Sequence, residues 1–100
     1  MSIIRLIFVN VSPDQAQSAE QIWKNQCAPL MIQQPGCLSE KLLRSTDNPG
    51  ELISYSEWED ENAIERYRKS EAHEKIKGHT RPLSGGRPVV KRYELGIGVK

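Results

Sequence analysis

Residues that commonly bind metals or form disulfides are scarce in this chain of 100 residues. It has two cysteines, Cys27 and Cys37, and two histidines, and the cysteines do not form a CxxC pair. A structural zinc site uses about four such ligands at characteristic spacings, so no metal site is expected. A disulfide between the two cysteines stays open, although nothing marks the chain as secreted.

The chain also lacks a long apolar run and a strong net charge. Its longest apolar segment, IIRLIFVNV at 3–11, contains Arg5 and is followed by no small-residue cleavage site. A bilayer span needs about 20 apolar residues, so this segment indicates a strand rather than an anchor or signal peptide. The net charge is +1, which gives no general attraction to nucleic acid or membrane. We expect a cytoplasmic protein with neither partner.

The charges that are present are segregated along the chain. Residues 51–74 hold eight acidic and three basic side chains, whereas residues 75–100 hold seven basic and one acidic. This is typical of an acidic surface helix followed by a basic tail. The alternative is a basic rim that attracts an anionic ligand.

The apolar segment at 3–11 predicts the first strand because it is rich in β-branched residues. Side chains alternate between the two faces of a strand. One face carries Ile3, Arg5, Ile7, Val9 and Val11, and the other carries Ile4, Leu6, Phe8 and Asn10. Both faces are mostly apolar, so both should be covered.

A helix is predicted next, with Ser12 as its cap, Pro13 in its first turn and Gln15 closing a capping box. Pro29 removes one backbone donor, so the helix should weaken near Asn25. The segment QQPGC at 33–37 then ends the helix and turns the chain.

The segments LSEKLLRST and ELISYSEW flank DNPG at 47–50, a pattern typical of a β-hairpin. A second helix should begin near Asp60, with a continuation capped by Ser70. The Gly/Pro-rich segment 78–88 predicts a loop, and VVKRYEL at 89–95 predicts the last strand. We expect one domain over residues 1–96 and a flexible tail over 97–100.

This order predicts an α+β, ferredoxin-like βαββαβ fold, an antiparallel sheet with two helices on one face. The other face would be bare, and apolar residues on the hairpin strands add to its surface: Leu38, Leu42, Leu52 and Trp58. A bare apolar face of this size marks an interface. We therefore predict a homodimer in which the two sheets pack face to face.

The same fold serves RNA-binding domains and metal chaperones, which the residues do not favour. An RNA-binding sheet needs stacked aromatics and glycines on the third strand, and ELISYSEW offers only Tyr55, on the face opposite Trp58. A metal chaperone needs a CxxC in the first loop, where this chain has NVSPDQ.

The segment QPGCLSEKLLRSTDNPGELISYSEWEDENAIERYRKSEAH resembles the antibiotic biosynthesis monooxygenase family, whose fold is the dimeric α/β barrel. The residues that carry the resemblance stand in the same order and spacing: Pro35, Gly36, Cys37, Trp58, Ala63, Ser70 and His73. With the order of elements, it covers about residues 3–95. The family includes enzymes that oxidise quinols and aromatic polyketides without metal or flavin, and members with no known activity.

The resemblance implies a cofactor-independent monooxygenase acting on a small aromatic or quinol-type substrate, with no cofactor and no metal. Such an enzyme needs a base, a hydrogen-bond donor and apolar walls. The candidate catalytic residues are Asn10, Tyr67 and His73, and the candidate substrate contacts are Phe8 and Trp58. If Asn10, Tyr67 and His73 converge on one cavity, that arrangement favours an enzyme over a binding protein.

Each candidate also has a structural interpretation. Asn10 can serve a hydrogen bond at the strand end, and His73 can be a helix-surface or capping residue. Trp58 and Tyr67 can be core packing. Cys37 is expected to pack rather than react, and His79 to be solvated.

Two other functions stay open. One is a dimeric small-molecule-binding or stress-related protein without catalysis. The other is haem degradation, which similar enzymes of this fold perform with an Asn on strand 1, a Trp on helix 2 and a His as iron ligand. Asn10 fits the first position, but Tyr67 stands at the second and about Lys77 at the third. His79 is two residues further, roughly 200° around a helix.

Overall fold

The structure, a computed structural model, describes residues 2–81 and 88–98. Its elements follow the predicted βαββαβ order, with each predicted helix divided. They are β1 (Ile3–Asn10), a 3-10 turn (Pro13–Gln15), α1 (Ala16–Ile22), a π turn (Trp23–Cys27), α2 (Ala28–Ile32), β2 (Cys37–Arg44), β3 (Glu51–Trp58), α3 (Glu61–Arg68), α4 (Glu71–Thr80) and β4 (Val89–Tyr93).

The four strands form one antiparallel sheet in the order β2-β3-β1-β4, which confirms the predicted α+β, ferredoxin-like fold. The helices cover one side of it, here called the inner side. On β1 the inner side carries Arg5, Ile7 and Val9, which share a cavity with helical residues such as Ala19 and Tyr67. Because β1 pairs on both edges, this apolar strand is one of the two central strands, with β3 as the other.

The opposite side is here called the outer side, and within residues 2–81 and 88–98 it carries no helix. The β1 residues Leu6 and Phe8 stand there opposite Tyr55 and Ile53 of β3. Exposed apolar side chains beside them belong to the flanking strands: Leu43, Val89 and Tyr93. The expectation that Leu42, Leu52 and Trp58 load this face is wrong. Those residues lie on the inner side, because their positions alternate with Leu43, Ile53 and Glu57.

The first helical segment contains a change of helical type at the predicted weak point. Pro29 has no N–H to donate to Asn25, and the N–H of Ala28 instead donates to the carbonyl of Trp23, five residues earlier. The predicted capping box does not form: within the described residues, Ser12 makes no side-chain capping bond. The turn there closes through the backbone, with the Gln15 N–H donating to the Ser12 carbonyl at 2.9 Å.

Two glycines allow the strands to approach their neighbours closely. Gly36, at the entry to β2, has φ +86°, and a Cβ there would lie 2.5 Å from the Cβ of Ala63 in α3. Gly50, at the entry to β3, has φ +94°, and a Cβ there would clash with the Val11 carbonyl. Both positions therefore require glycine. The hairpin between β2 and β3 is confirmed.

The second helical segment is capped as predicted. The Asp60 carboxylate accepts from the Ala63 N–H at 2.9 Å, and the Ser70 hydroxyl accepts from the His73 N–H at 3.2 Å. The prediction of a loop from residue 78 is wrong, because α4 continues to Thr80, whose hydroxyl donates to the Ile76 carbonyl. The rest of that predicted loop, residues 82–87, lies outside the described residues.

The last strand is shorter than predicted, since β4 ends at Tyr93. Residues 94–98 have no regular structure, and 99–100 lie outside the described part of the chain. The boundary of the domain at residue 96 stays a prediction.

Two clusters form the core between the helices and the inner side of the sheet. The larger one lies at the Trp58 end of β3 and consists of Met31, Trp58, Ala63, Ile64 and Tyr67. The smaller one lies at the other end and consists of Val11, Ala19 and Leu52. The space between the two clusters is not filled by side chains, and it holds the candidate site.

Candidate active site

A cavity of about 900 Å³ lies between the inner side of the sheet and the helices. Most of its wall is apolar, with Ile7 and Val9 from β1, Leu42 from β2, Ile22 from α1 and Ile76 from α4. Apolar clefts of this size, with a few polar groups, are the usual form of small-molecule sites.

Glu40 lies behind one wall of the cavity and is held there by two residues that line it. Its Oε1 accepts from the Ser54 hydroxyl at 2.8 Å and from the Trp23 indole N–H at 3.2 Å. The π turn supplies Trp23 for this contact. Burial raises the pKa of Glu40 to about 7, although both hydrogen bonds and the charge of Arg5 lower it. Its Oε2 is buried without a partner.

Arg5 brings a buried positive charge to the cavity. The residue is 4% exposed, and its Nε and Nη1 atoms have no hydrogen-bond partner. Its guanidinium lies 5.9 Å from the centroid of the Tyr67 ring, a cation–π distance. Burial lowers the pKa of Arg5 below its usual value.

Arg5 and Glu40 are held apart by the sheet. Both stand opposite Ser56, Arg5 on one side of β3 and Glu40 on the other. Neighbouring strands are about 4.8 Å apart, so the two charged residues are separated by two strand spacings. Among the described residues, neither takes part in an ion pair within 4 Å.

Tyr67 and His73 meet at the cavity. Tyr67 ends the buried face of α3, and the Ser70 cap starts α4 three residues before His73. Their rings are arranged edge to face with centroids 5.0 Å apart. Burial raises the pKa of Tyr67, so its phenol stays protonated. Burial, and then the charge of Lys77, lower the pKa of His73, whose Nδ1 is buried without a partner.

Trp58 belongs to the packed core rather than to the cavity wall. It is fully buried, its ring stacks on Tyr67 with centroids 5.2 Å apart, and its indole N–H donates to the Ser56 hydroxyl at 2.9 Å. Its place is therefore behind Tyr67, and the structure does not bring it to the position of a substrate contact.

The expected convergence of Asn10 with Tyr67 and His73 is not found. Asn10 is exposed at the end of β1 and stands opposite Glu51 on the outer side. Phe8, on the same side, lies under the Lys91 ammonium at 5.6 Å from the ring centroid. The reason is strand alternation, since even-numbered residues of β1 point away from the helices.

The cysteines and His79 take no reactive position. Burial raises the pKa of both Cys27 and Cys37 to about 11, and both thiols are free. His79 is exposed in α4 and is not part of the cavity wall, whereas Lys77 is. Iron ligation by His79 would need the helix to end by Gly78, whereas α4 continues to Thr80. Within residues 2–81 and 88–98, no group of three His, Cys, Asp or Glu side chains could hold a metal.

Sequence reasoning missed Arg5 and Glu40 as site residues. Each interrupts an apolar face of its strand, Arg5 between Ile3 and Ile7, and Glu40 before Leu42. Charged side chains are rarely buried unless they are paired. A single charge on an otherwise apolar strand face was therefore the signal that could have marked each of them as a site residue.

The profile that defines the family "Antibiotic biosynthesis monooxygenase" matches residues 2–78. No curated protein matches the sequence.

In the described part of the chain, no helix is long and apolar enough to cross a membrane. The cytoplasmic location stays a prediction.

Solved structures share the fold at low sequence identity. A Bordetella bronchiseptica protein, provisionally named an antibiotic biosynthesis monooxygenase, has a TM-score of 0.87 at 20% identity, covering 96% of this chain and 98% of that one. Rv0793 from Mycobacterium tuberculosis has a TM-score of 0.80 at 17% identity, and the match covers 100% of both chains. A variant of SnoaB, a cofactor-independent oxygenase from Streptomyces nogalater, has a TM-score of 0.80 at 18% identity. This match covers 98% of this chain and 96% of that one.

The family match extends over more than three quarters of the chain, from β1 into α4. It includes Arg5, Tyr67 and His73, which line the cavity, and Glu40, which lies behind its wall. The chain belongs to the antibiotic biosynthesis monooxygenase family.

Proposed function

We propose that the protein is a cofactor-independent monooxygenase that acts on a small aromatic or quinol-type substrate. The observation that carries the proposal is the cavity itself, apolar over most of its wall, with Tyr67 and His73 edge to face at one side. Membership of the family supports it, as does the likeness to SnoaB, which is described as a cofactor-independent oxygenase.

The chemistry needs only the substrate and dioxygen. A phenol that loses its proton becomes an anion able to give an electron to O2, and the radical pair then forms a carbon–oxygen bond as a peroxide. Loss of water from the peroxide breaks the O–O bond and leaves a quinone. One oxygen atom enters the product, the other leaves as water, and the substrate supplies all four electrons. A quinol gives a hydroxyquinone by the same balance.

In this proposal His73 removes the substrate proton. Its lowered pKa keeps the imidazole neutral at pH 7, and its unpartnered Nδ1 can accept a proton. Tyr67, protonated because its pKa is raised, donates a hydrogen bond to the substrate oxygen and stabilises the developing negative charge. The apolar wall excludes water, which strengthens both interactions.

The experiment is oxygen uptake with product identification on a panel of hydroquinones and polycyclic phenols, without added metal or flavin. His73→Ala should lower the turnover at least about tenfold, within the usual range for a lost general base. His79→Ala is the matched control, because this exposed histidine lies on the same helix outside the cavity. It should leave turnover unchanged.

Two outcomes would count against the proposal. Uptake no faster than the uncatalysed rate across the panel would favour the alternative, a binding protein that holds a small molecule without oxidising it. Equal losses in His73→Ala and His79→Ala would remove His73 from its assigned role.

We also propose that the protein forms a homodimer through the outer side of the sheet, as its family's barrel requires. This side carries Leu6, Phe8, Ile53 and Tyr55 beside basic Lys91 and acidic Glu57. Apolar residues flanked by both signs of charge suit a two-fold interface, in which the same patch meets itself.

Sedimentation tests the dimer. Phe8→Glu should yield monomers, because it places a negative charge on each of the two apolar faces that would pack together. Ile32→Glu, an exposed apolar position on α2, is the control and should leave the assembly unchanged. A native chain that sediments as a monomer at micromolar concentration would overturn the proposal.

A further inference from the structure

The described residues offset the burial of the Arg5 guanidinium only in part. Its Nε and Nη1 are buried without a hydrogen-bond partner, and burial of an unpaired charge is strongly unfavourable. The Tyr67 ring, 5.9 Å from the guanidinium, gives some compensation through a cation–π contact. A negatively charged group bound in the cavity would offset the rest of this cost.

Glu40 does not supply that charge. It stands two strands away in the same row of the sheet, with the small Ser56 between the two residues. Its Oε1 is already used by Ser54 and Trp23. The sheet thus keeps the Glu40 carboxylate out of contact with Arg5, and the Arg5 guanidinium lines the cavity.

The cavity wall adds to the positive charge. Among the described residues that line it, the charged ones are all basic: Arg5, Arg68, Lys77 and Arg81. Arg68 and Lys77 pair with Glu65 and Glu74 on the surface, which offsets part of their charge. Among the described residues, Arg5 and Arg81 take part in no ion pair within 4 Å. Lys77 and Arg81 belong to the basic segment 75–100, for which the sequence allowed a rim that attracts an anionic ligand.

We propose that Arg5 binds an anionic oxygen of the ligand, so that the cavity takes aromatic compounds carrying a carboxylate or an ionised hydroxyl in preference to neutral ones of the same shape. The inference rests on the proposed function for the aromatic nature of the ligand, and it adds that the ligand is negatively charged. Arg5 suits the task because its planar fork can donate two parallel hydrogen bonds to one anionic group. The rim then draws the anion toward the cavity.

The test is calorimetric binding of matched pairs under argon. The carboxylate pair is 2-naphthoate and 2-naphthamide, and the phenolate pair is 2,4-dinitrophenolate and 2,4-dinitroanisole, at a pH where both acids are ionised. The native protein should bind at least one anion about tenfold or more tightly than its neutral partner. The two pairs distinguish a carboxylate site from a phenolate site.

Arg5→Met should abolish that preference and leave the affinity for the neutral compounds unchanged. Arg5→Gln is the second variant, in case methionine is not tolerated, and should behave alike. Arg66→Met is the matched control, because it removes one exposed positive charge that does not line the cavity. It should keep the preference.

A structural role for Arg5 predicts a different result. If Arg5 only supports the fold, Arg5→Met should have a lower melting temperature than the native protein and a lower affinity for all four compounds. If Arg5 is instead an unpaired buried charge, its loss should leave the melting temperature equal or higher. Equal binding of anions and neutral partners, a preference that survives in both Arg5 variants, or no binding of any anion at millimolar concentration would each overturn the inference.

The outcomes separate this inference from the proposed function. Anion preference that depends on Arg5, without oxygen uptake on any phenol, retains the inference and rejects the oxygenase. Oxygen uptake on neutral quinols that Arg5→Met leaves unchanged rejects the inference and retains the oxygenase.

Discussion

Two regions of the same helix–sheet interface treat their buried polar atoms differently. At the Trp58 end, the indole N–H donates to the Ser56 hydroxyl, which itself donates to the Arg5 carbonyl. A few ångströms away, in and around the cavity, polar atoms of Arg5, Glu40 and His73 are buried without partners. An unsatisfied buried polar group costs about 1–3 kcal/mol. The packed end therefore serves stability, whereas the cavity region keeps buried polar atoms that lower it.

The largest effect is expected where the packing is complete. Trp58→Ala should lower the free energy of unfolding by about 3–5 kcal/mol, because it removes a fully buried ring and leaves a void. Urea denaturation measures it. Trp23→Ala, a half-buried indole at the cavity, is the comparison and should cost no more than about 2 kcal/mol. Equal costs would mean that the two regions are not distinct.

Glu40→Gln should stabilise the protein by about 3 kcal/mol at pH 8 and leave it unchanged near pH 4. The pKa of Glu40 is raised to about 7 in the folded protein from 4.5. The native state therefore holds the proton more tightly than the unfolded chain between these values. Stability of the parent protein falls as the pH rises through that window and is level above it, whereas glutamine resembles the protonated acid throughout.

Denaturation of both proteins from pH 4 to 8 gives the difference. Glu71→Gln, at an exposed position in the first turn of α4, is the control. Its free energy of unfolding should not rise above that of the parent protein between pH 4 and 8 in the way expected for Glu40→Gln. A difference between Glu40→Gln and the parent that does not change with pH would contradict the burial of this carboxyl.

A smaller effect is expected at the junction that positions His73. Ser70→Ala should cost about 1 kcal/mol, because the hydroxyl caps α4 at the His73 N–H. Urea denaturation measures the cost, and Ser18→Ala, at an exposed serine within α1, is the control. If the cap also aligns His73 with the cavity, turnover should fall more than stability explains. A loss equal to that of Ser18→Ala would exclude a role for the cap.

The smallest effect is expected on the outer side. Asn10→Ala should change oxygen uptake and anion affinity by less than about twofold, since the side chain is exposed and points away from the cavity. Oxygen-uptake assays and calorimetry of the full chain measure the two quantities. A loss comparable with that of His73→Ala would bring Asn10 back into the site and require the outer side to contribute to it.

Much of the fold could be predicted because its signals are local. Asp60 and Ser70 cap their helices from adjacent positions, and Pro29 disrupts the helix four residues before itself. The end of α4 was missed because Gly78 weakens a helix only slightly, and the Thr80 hydroxyl supports the last turn.

The site was less predictable because it depends on which face of β1 meets the helices. Both faces are apolar, so alternation alone does not choose between Arg5 and Phe8. Asn10, the one amide on the strand, attracted attention for its chemistry and lies on the other side. Tyr67 and His73 were found because they share a helical segment. Arg5 and Glu40 come from strands that only the sheet brings together.

The π turn at Trp23–Cys27 has a consequence for how this cavity can change. Its five-residue hydrogen bond accommodates one residue more than a regular helix would over the same length. Deleting one residue there would rotate every position before it by about 100°, although Pro29 would still have no N–H to donate. Trp23 and Ala19 would leave the cavity wall together, while Arg5 on the sheet stayed in place. In the proposed site, the first helical segment therefore affects the size of the ligand, and Arg5 affects its charge.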